Sequence, residues 1–409
     1  MTKDYRKNDF QRIDALADKA SQMNFTSPKK LAAFLTQGAK TDIEKVRAIY
    51  RWVTANINYD AKSFFSGSYE PSDAENVFMS RKSVCEGYAN LFDTLAREAG
   101  IESQKISGFA KGYGYSAGAG AAADSKPNHA WNAVKLDGKW FLVDSTWGAG
   151  YLENRSFVRR FEGHYFLTPP EQFIFDHLPE DPRWQLLDKQ ISNSEYVMLP
   201  YLRPDFFKNG LRLIGYKAGQ IKARDQFVFT LAGEDLKNNP NSQGKKNSSV
   251  MASLYLNNRE LDKRQVFVQK KDDRFEISVR FPQKGEYMLR VFVKPQNEPG
   301  SYAWAGDFQV AADSGMPEVF PFAYDTSDKN VFLLTPLQGT LKQGVSYDFS
   351  LEAPGAEKIA VVTGKIWNYL KNEGGRFTGS VKAVKGDNFV YIKYPNESNF
   401  RGAYQYSGN

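Results

Sequence analysis

Apolar residues recur every three or four positions along the first half of the chain and alternate with polar ones along much of the second. The helical pattern opens at Thr41-x-x-Glu44, which has the spacing of a capping box. Ile43, Val46, Ile49, Tyr50 and Val53 then follow along one side. Ser72-x-x-Glu75 repeats the spacing ahead of a shorter helix carrying Val77 and Phe78. Ser83-x-x-Glu86 gives it a third time, and Tyr88, Leu91, Phe92, Leu95, Ala96 and Ala99 form one face before Gly100 stops the helix. In this reading Ser83 is the N-cap, Cys85 the second helical residue and Glu86 the third.

Strands are interleaved with these helices. HAWNAVKLDGKWFLVDSTW, His129 to Trp147, reads as two strands joined at Asp137-Gly138, a strong two-residue hairpin signal. With that loop Leu136 opposes Lys139 and His129 faces Thr146. Asp144 then lies two residues along, on the face that His129 shares and within reach of its ring. Asn132 and Ser145 fall on the other face. Between the helical region and this hairpin, Gly112 to Ala123 is a Gly/Ala-rich loop, either a lid over a cleft or an inert surface loop.

From about Ser192 the period is two. RFEISVRF (Arg274 to Phe281), a PQKGE turn and YMLRVFV (Tyr287 to Val293) read as a hairpin. KIAVVTG and NFVYIKY continue the style, and DSGMP (Asp313 to Pro317) marks a break. The predicted organisation is an α+β domain over 1–191, then two β-sandwich, immunoglobulin-like modules over 192–313 and 314–409.

Composition narrows the function classes. A chain of 409 residues, 41% hydrophobic and 14% aromatic, is long enough for two or three cores. The net charge of +7 is spread along the chain, and the short GKKN patch (Gly244 to Asn247) reads as solvated surface, so nucleic acid is not implied. No segment has the roughly 18 consecutive apolar residues of a membrane helix. The opening MTKDYRKNDF lacks the apolar stretch of a signal peptide, which fits a cytoplasmic protein, or a secreted or periplasmic one in mature form.

Cys85 is the single cysteine and cannot form an internal disulfide. At a helix start the unpaired N–H groups and the positive dipole end favour a thiolate, the nucleophilic form. The alternative is a small buried hydrophobe. A nucleophile needs a base, and the chain has three histidines. His129 is placed for that role with Asp144 as its orienting acid, in the order Cys, His, Asp of a papain-type relay. His177, in FDHLPEDPRW, reads as a packing or capping residue, and His164 as part of a packed segment near the cleft wall. Trp131 and Trp147 flank the His–Asp strands, either as core or as a shield against water, and Trp140 reads as core. No H-E-x-x-H and no second cysteine point to a metal, and no cofactor is implied.

Several separated blocks carry a specific resemblance. VCEGYANLFDTLAREAGI, a strand ending GFAKG, and HAWNAVKLDGKWFLVDSTWGAG together resemble the transglutaminase-like core, a papain-like fold. TDIEKVRAIYRWVTANINYD resembles its lead-in helix. HYFLTPPEQFIFDHLPEDPRWQLL resembles the C-terminal extension of the kyphoscoliosis peptidase branch. The resemblance spans roughly residues 40–190 and covers the β modules only loosely. It implies acyl transfer on protein or peptide amides, with the family's catalytic Cys, His and Asp falling on Cys85, His129 and Asp144. Hydrolysis and amine transfer share that triad. No D-x-D-x-D-G calcium loop is present, while animal-type transglutaminases depend on calcium, and this favours the hydrolase. A scaffold protein with a dormant triad is the alternative of another class. The β modules are expected to bind a protein or polysaccharide surface.

Overall fold

The computed structural model describes residues 4–115, 126–215, 220–233, 248–296, 298–324 and 330–409. Most of the Gly/Ala-rich loop, residues 116–125, and the GKKN patch lie outside them. The chain forms two compact units, Met1–Val197 and Met198–Asn409.

In the first unit α1 (Gln11–Ala20), α2 (Pro28–Thr36), α3 (Asp42–Asn56), the short α4 (Ala61–Ser66), α5 (Ala74–Ser80) and α6 (Cys85–Glu98) precede the main sheet. Thr41 caps α3 by accepting from the Glu44 N–H, while the Glu44 carboxylate accepts from the Lys40 N–H, one residue earlier than in the usual box. Asp73 rather than Ser72 caps α5, accepting from the Asn76 N–H.

The third expected box is not formed. Ser83 is drawn into β2 (Lys82–Ser83), which pairs in parallel with β1 (Asn58–Tyr59). Its carbonyl accepts the Asp60 N–H at 2.9 Å. Val84 takes the cap position without a side-chain bond, so Cys85 is the first helical residue rather than the second. Tertiary strand pairing has overridden the local capping preference.

The main sheet has the order β5 (Lys139–Val143), β4 (His129–Leu136), β3 (Ser103–Ala110) and β8 (His177–Pro179), with β6 (Gly150–Glu153) and β7 (Ser156–Arg159) as a separate ribbon. The Asp137-Gly138 hairpin has the predicted register, Leu136 opposite Lys139 and Asn132 opposite Val143. The amphipathic face of α6, with Tyr88, Leu91, Phe92 and Leu95, is buried in one core with Val134, Leu136 and Val143 of the sheet and Ile49, Trp52 and Val53 of α3. Close approach at two glycines makes the arrangement possible. A Cβ at Gly87 would stand 2.1 Å from Ser83 Oγ, and one at Gly108 would stand 2.3 Å from the Leu178 carbonyl oxygen.

The second unit contains two pairs of sheets. The first pair has the orders Arg212–Leu213, Gln226–Ala232, Arg274–Arg280, Val266–Lys271 and Gln220–Ala223, Ala303–Ala312, Gly285–Pro295, Ser248–Leu256, Arg259–Glu260. The second pair has the orders Phe322–Ala323, Arg401–Gly408, Gly386–Lys393, Lys358–Thr363, Ile366–Tyr369 and Phe332–Thr335, Ser346–Glu352, Arg376–Lys382, Lys371–Glu373. Both pairs are β-sandwich in style, so an α+β core followed by paired β-sheets is the fold of the chain.

A further local expectation is overturned. Arg274–Arg280 and Gly285–Pro295 do not pair as a hairpin: the first pairs with Gln226–Ala232 and Val266–Lys271, the second with Ser248–Leu256 and Ala303–Ala312. Both strands alternate, and both bury their apolar side, with Ile277 and Val279 on one and Leu289 and Val291 on the other. The intervening residues carry the chain from one sheet to the next, a step of about 10 Å.

Candidate functional site

Cys85 stands at the head of α6, half-buried, with its thiol unpaired to any other cysteine. The first N–H of this helix to bond back is that of Gly87, to the Val84 carbonyl at 3.1 Å. The amides of Cys85 and Glu86 therefore lie at the positive end of a fourteen-residue helix. The Glu86 carboxylate does not compete there, because it pairs with Lys105 on β3. Tyr59 lies close enough for the cysteine to act on it: burial first, then the charge of Cys85, holds its phenol far above the ordinary 10. The hydroxyl thus remains a donor.

His129 is the first residue of β4 and Asp144 follows the last residue of β5. The hairpin does not run on to the expected His129–Thr146 pair, because Ser145–Ala149 turns into a short helix, α7, for which Asp144 is the N-cap. This cap divides the carboxylate. Its Oδ1 accepts the N–H groups of Thr146 and Trp147 at 2.7 and 3.0 Å. Its Oδ2 is left for the His129 Nε2, at 2.8 Å. The structure therefore brings His129 and Asp144 together on the diagonal that the register predicts, with a helix cap fixing the acid. Asn132, on the opposite face, donates from Nδ2 to the Ala89 carbonyl and ties the histidine strand to the cysteine helix.

Both members of the His129–Asp144 pair are buried. Burial alone would lower the imidazole pKa. The Asp144 charge and hydrogen bond, with a hydrogen bond and charge from Cys85, outweigh it and raise the ring above its ordinary 6.5. For Asp144 burial opposes ionisation, and the two imidazoles His129 and His177 more than offset it, so the carboxyl is held well below 3.8. With Nε2 on Asp144, Nδ1 is the His129 nitrogen left for the contact with Cys85.

His177 is the residue that reading the sequence missed in this role. It is packed, as expected, with its ring stacked on Phe173 at 4.1 Å and against Trp147 at 4.4 Å. Its Nε2 also reaches the same Asp144 Oδ2 at 3.1 Å, and its Nδ1 meets Asp176 Oδ1 at 2.7 Å. Tyr165 donates its hydroxyl to the other Asp176 oxygen at 2.8 Å. The signal available in the sequence was the adjacent Asp176-His177 pair, an acid–imidazole couple in an otherwise apolar segment.

His164 is buried elsewhere, with Nδ1 3.1 Å from Arg6 Nη1. Trp131 and Trp147 both lie against the His129 ring, at 6.0 and 5.3 Å between centroids. Trp140 packs edge-on against Trp184 at 5.0 Å and is only partly buried. His129, Asp144 and His177 also have the spacing of a metal-ligand set, with candidate atoms within 4.8 Å of one another. The two short contacts, 2.8 and 3.1 Å, are the lengths of hydrogen bonds from ring N–H groups to a carboxylate.

With this geometry in place, comparison with known proteins defines the class. Residues 29–145 match the transglutaminase-like superfamily core and residues 194–323 match a KY-like, immunoglobulin-like domain. The chain therefore carries a transglutaminase-like domain followed by a KY-like immunoglobulin-like domain. Within that class it resembles the kyphoscoliosis peptidase branch. It is 26% identical to kyphoscoliosis peptidase of Homo sapiens, over 94% of this chain and 74% of the human protein. It is also 33% identical to Lim and transglutaminase domain protein ltd-1 of Caenorhabditis elegans, over 51% of this chain and 30% of that protein. Hillarin of Drosophila melanogaster is 32% identical over 53% of this chain and 28% of its own length.

Proposed function

We propose that the first unit is a cysteine-dependent acyl-transfer enzyme whose main reaction is hydrolysis of protein or peptide amides. Cys85 is the nucleophile, His129 the general base and acid, and Asp144 the residue that orients His129. The observation that carries this reading is the buried His129, held by Asp144 on one nitrogen and acted on by Cys85 at the same time. The Cys85 thiolate attacks the amide carbonyl, and the oxyanion that forms lies near the head of α6, where the Cys85 N–H is available. His129 passes its proton to the departing amine, leaving a thioester on Cys85. Water then attacks the thioester, giving its proton to His129, and the acid product leaves with the thiolate restored.

The same thioester can be opened by a lysine amine, which gives a cross-link instead of a cleavage. The peptidase name of the human and mouse relatives supports hydrolysis. Cys85 labelling tests the reading directly. Iodoacetamide is expected to modify Cys85 rapidly near pH 6 and slowly in His129→Ala, whereas labelling as slow as that of free cysteine would sink an activated thiol and favour a dormant scaffold. A peptide library offered with amine acceptors, with Cys85→Ala as control, separates hydrolysis from transfer.

The second unit, taken as two modules dividing near residue 313, supplies the contact with a protein or polysaccharide partner. Exposed Trp367 and Tyr369, with Tyr391 and Phe400 packed beside them, support the outer face of the last sandwich as that surface. Loss of partner capture in a Trp367→Ala, Tyr369→Ala double variant is the expected result.

A further inference from the structure

Behind the proposed catalytic pair lies a second acid–imidazole pair that the proposed reaction does not use. From the Cys85 side inward the chain of contacts runs His129, Asp144, His177, Asp176, Tyr165. All five side chains are buried, and they come from separate segments: the start of β4, the end of β5, the start of β8 and the loops before it.

Proton bookkeeping constrains the middle of this chain. A carboxylate oxygen accepts and does not donate. Asp144 Oδ2 lies 3.1 Å from one His177 nitrogen and Asp176 Oδ1 lies 2.7 Å from the other. His177 thus meets, through Nε2, the same Asp144 oxygen that His129 uses, and Asp176 holds the ring from its other nitrogen. Tyr165 satisfies the far oxygen of Asp176, and the rings of Phe173, Trp131 and Trp147 enclose His177 on its remaining sides. Burying a polar ring without hydrogen-bond partners is costly, and each of its nitrogens has one.

We propose that His177 is a positioning residue for the site: it fixes Asp144 from the side opposite His129 and, anchored by Asp176 and Tyr165, limits how strongly Asp144 draws on the His129 ring. The inference rests on the reading of Cys85, His129 and Asp144 given above. Its physical content is a competition for one oxygen. Asp144 Oδ2 receives two ring N–H groups, and what it gives to one it withholds from the other. His129 thereby keeps a proton that it can release to a leaving amine.

Other ionisable groups face this cluster. Cys85 acts on His129, and Asp144 acts through its charge on Tyr50, Tyr59 and Tyr88. Lys111, whose backbone N–H donates to the Asp176 carbonyl, feels the Asp176 charge. Burial pushes the Lys111 ammonium down to about 7, with Asp176 opposing that shift. None of these groups contacts both carboxylates, as His177 does.

Nitrogen-15 NMR of the full chain labelled at its three histidines tests the proposal without a substrate. In the wild type the His177 Nε2 is expected to carry the hydrogen that bonds Asp144, seen as a downfield ring N–H signal. Asp176→Asn keeps the shape and removes the anchor, so the His177–Asp144 hydrogen bond is expected to weaken. The midpoint at which His129 gives up its proton should then rise by about one pH unit, a tenfold gain in proton affinity. His177→Gln should move that midpoint in the same direction.

A His177 Nε2 without a hydrogen bonded to Asp144 in the wild type, or a His129 midpoint unchanged in Asp176→Asn, overturns the proposal. The NMR spectrum of the wild type decides the first point even where a variant does not fold. Iodoacetamide labelling of the same wild-type sample keeps the two readings apart. A slow thiol refutes the acyl-transfer reading whatever His177 does, and a fast thiol beside a His177 that does not bond Asp144 refutes this inference alone.

Discussion

Asp144 in the first unit and Asp307 in the second are both buried carboxylates on or next to a strand, and both have every oxygen occupied. Asp307 sits directly opposite Arg290 on the neighbouring strand and takes its guanidinium on two oxygens at 2.8 Å, with the Trp304 indole N–H at 3.0 Å. Asp144 takes two backbone amides and two imidazoles, one from the adjoining strand and one from a strand across the sheet. The difference lies in the partners. A guanidinium stays charged, so the Asp307 pair can only hold strands together. An imidazole gains and loses its proton near neutral pH, so the same acid in Asp144 can tune chemistry.

Substituting the two acids in parallel gives the largest contrast. Asp144→Asn is expected to lower the Cys85-dependent hydrolysis rate by roughly 10³–10⁴-fold, because the amide no longer selects the reactive imidazole tautomer. Asp307→Asn should leave that rate unchanged, as measured on the same substrate. In stability the contrast runs the other way for the second unit. Asp307→Ala leaves Arg290 in a half-buried setting without its acid, and chemical denaturation should show a loss of about 3–5 kcal/mol.

A pH series of unfolding measurements sharpens the comparison. The raised His129 ring stabilises the folded state fully below its ordinary 6.5, and this contribution fades as pH climbs through the raised value. The lowered Asp144 carboxyl contributes above its ordinary 3.8 and is lost as pH falls through the depressed value. The stability of the first unit should therefore be flat between these limits and fall on both sides, and Asp144→Asn should flatten both arms. Gly87→Ala comes next in size. The added methyl meets Ser83 Oγ and Val77, costing about 1–3 kcal/mol and slowing thiol labelling through a displaced helix head. The smallest effect belongs to Asp18→Ala, which removes an exposed pair with Arg51 and should change stability by less than about 1 kcal/mol.

Much of the site was legible because it depends on short-range patterns. Asp137-Gly138 fixed the hairpin register, and that register alone put Asp144 on the face of His129. The apolar face of α6 placed Cys85 at a helix start. The errors have a common origin. Ser83 has the right neighbours for a cap but is claimed by a strand pair with Tyr59. Arg274–Arg280 and Gly285–Pro295 alternate as a hairpin would, yet alternation reports only that one face is buried and not which strand lies alongside. His177 looked like a packing residue because its acid partner Asp144 lies 33 positions away.

By itself the sequence determined the period of each element, the hairpin register and the chemical identity of the candidate groups, because these depend on residues a few positions apart. Only the tertiary structure decided which strands adjoin, which residue takes each helix cap and which histidine shares the Asp144 oxygen. Those outcomes turn on long-range competition for buried hydrogen-bonding partners, and local preference does not encode that competition.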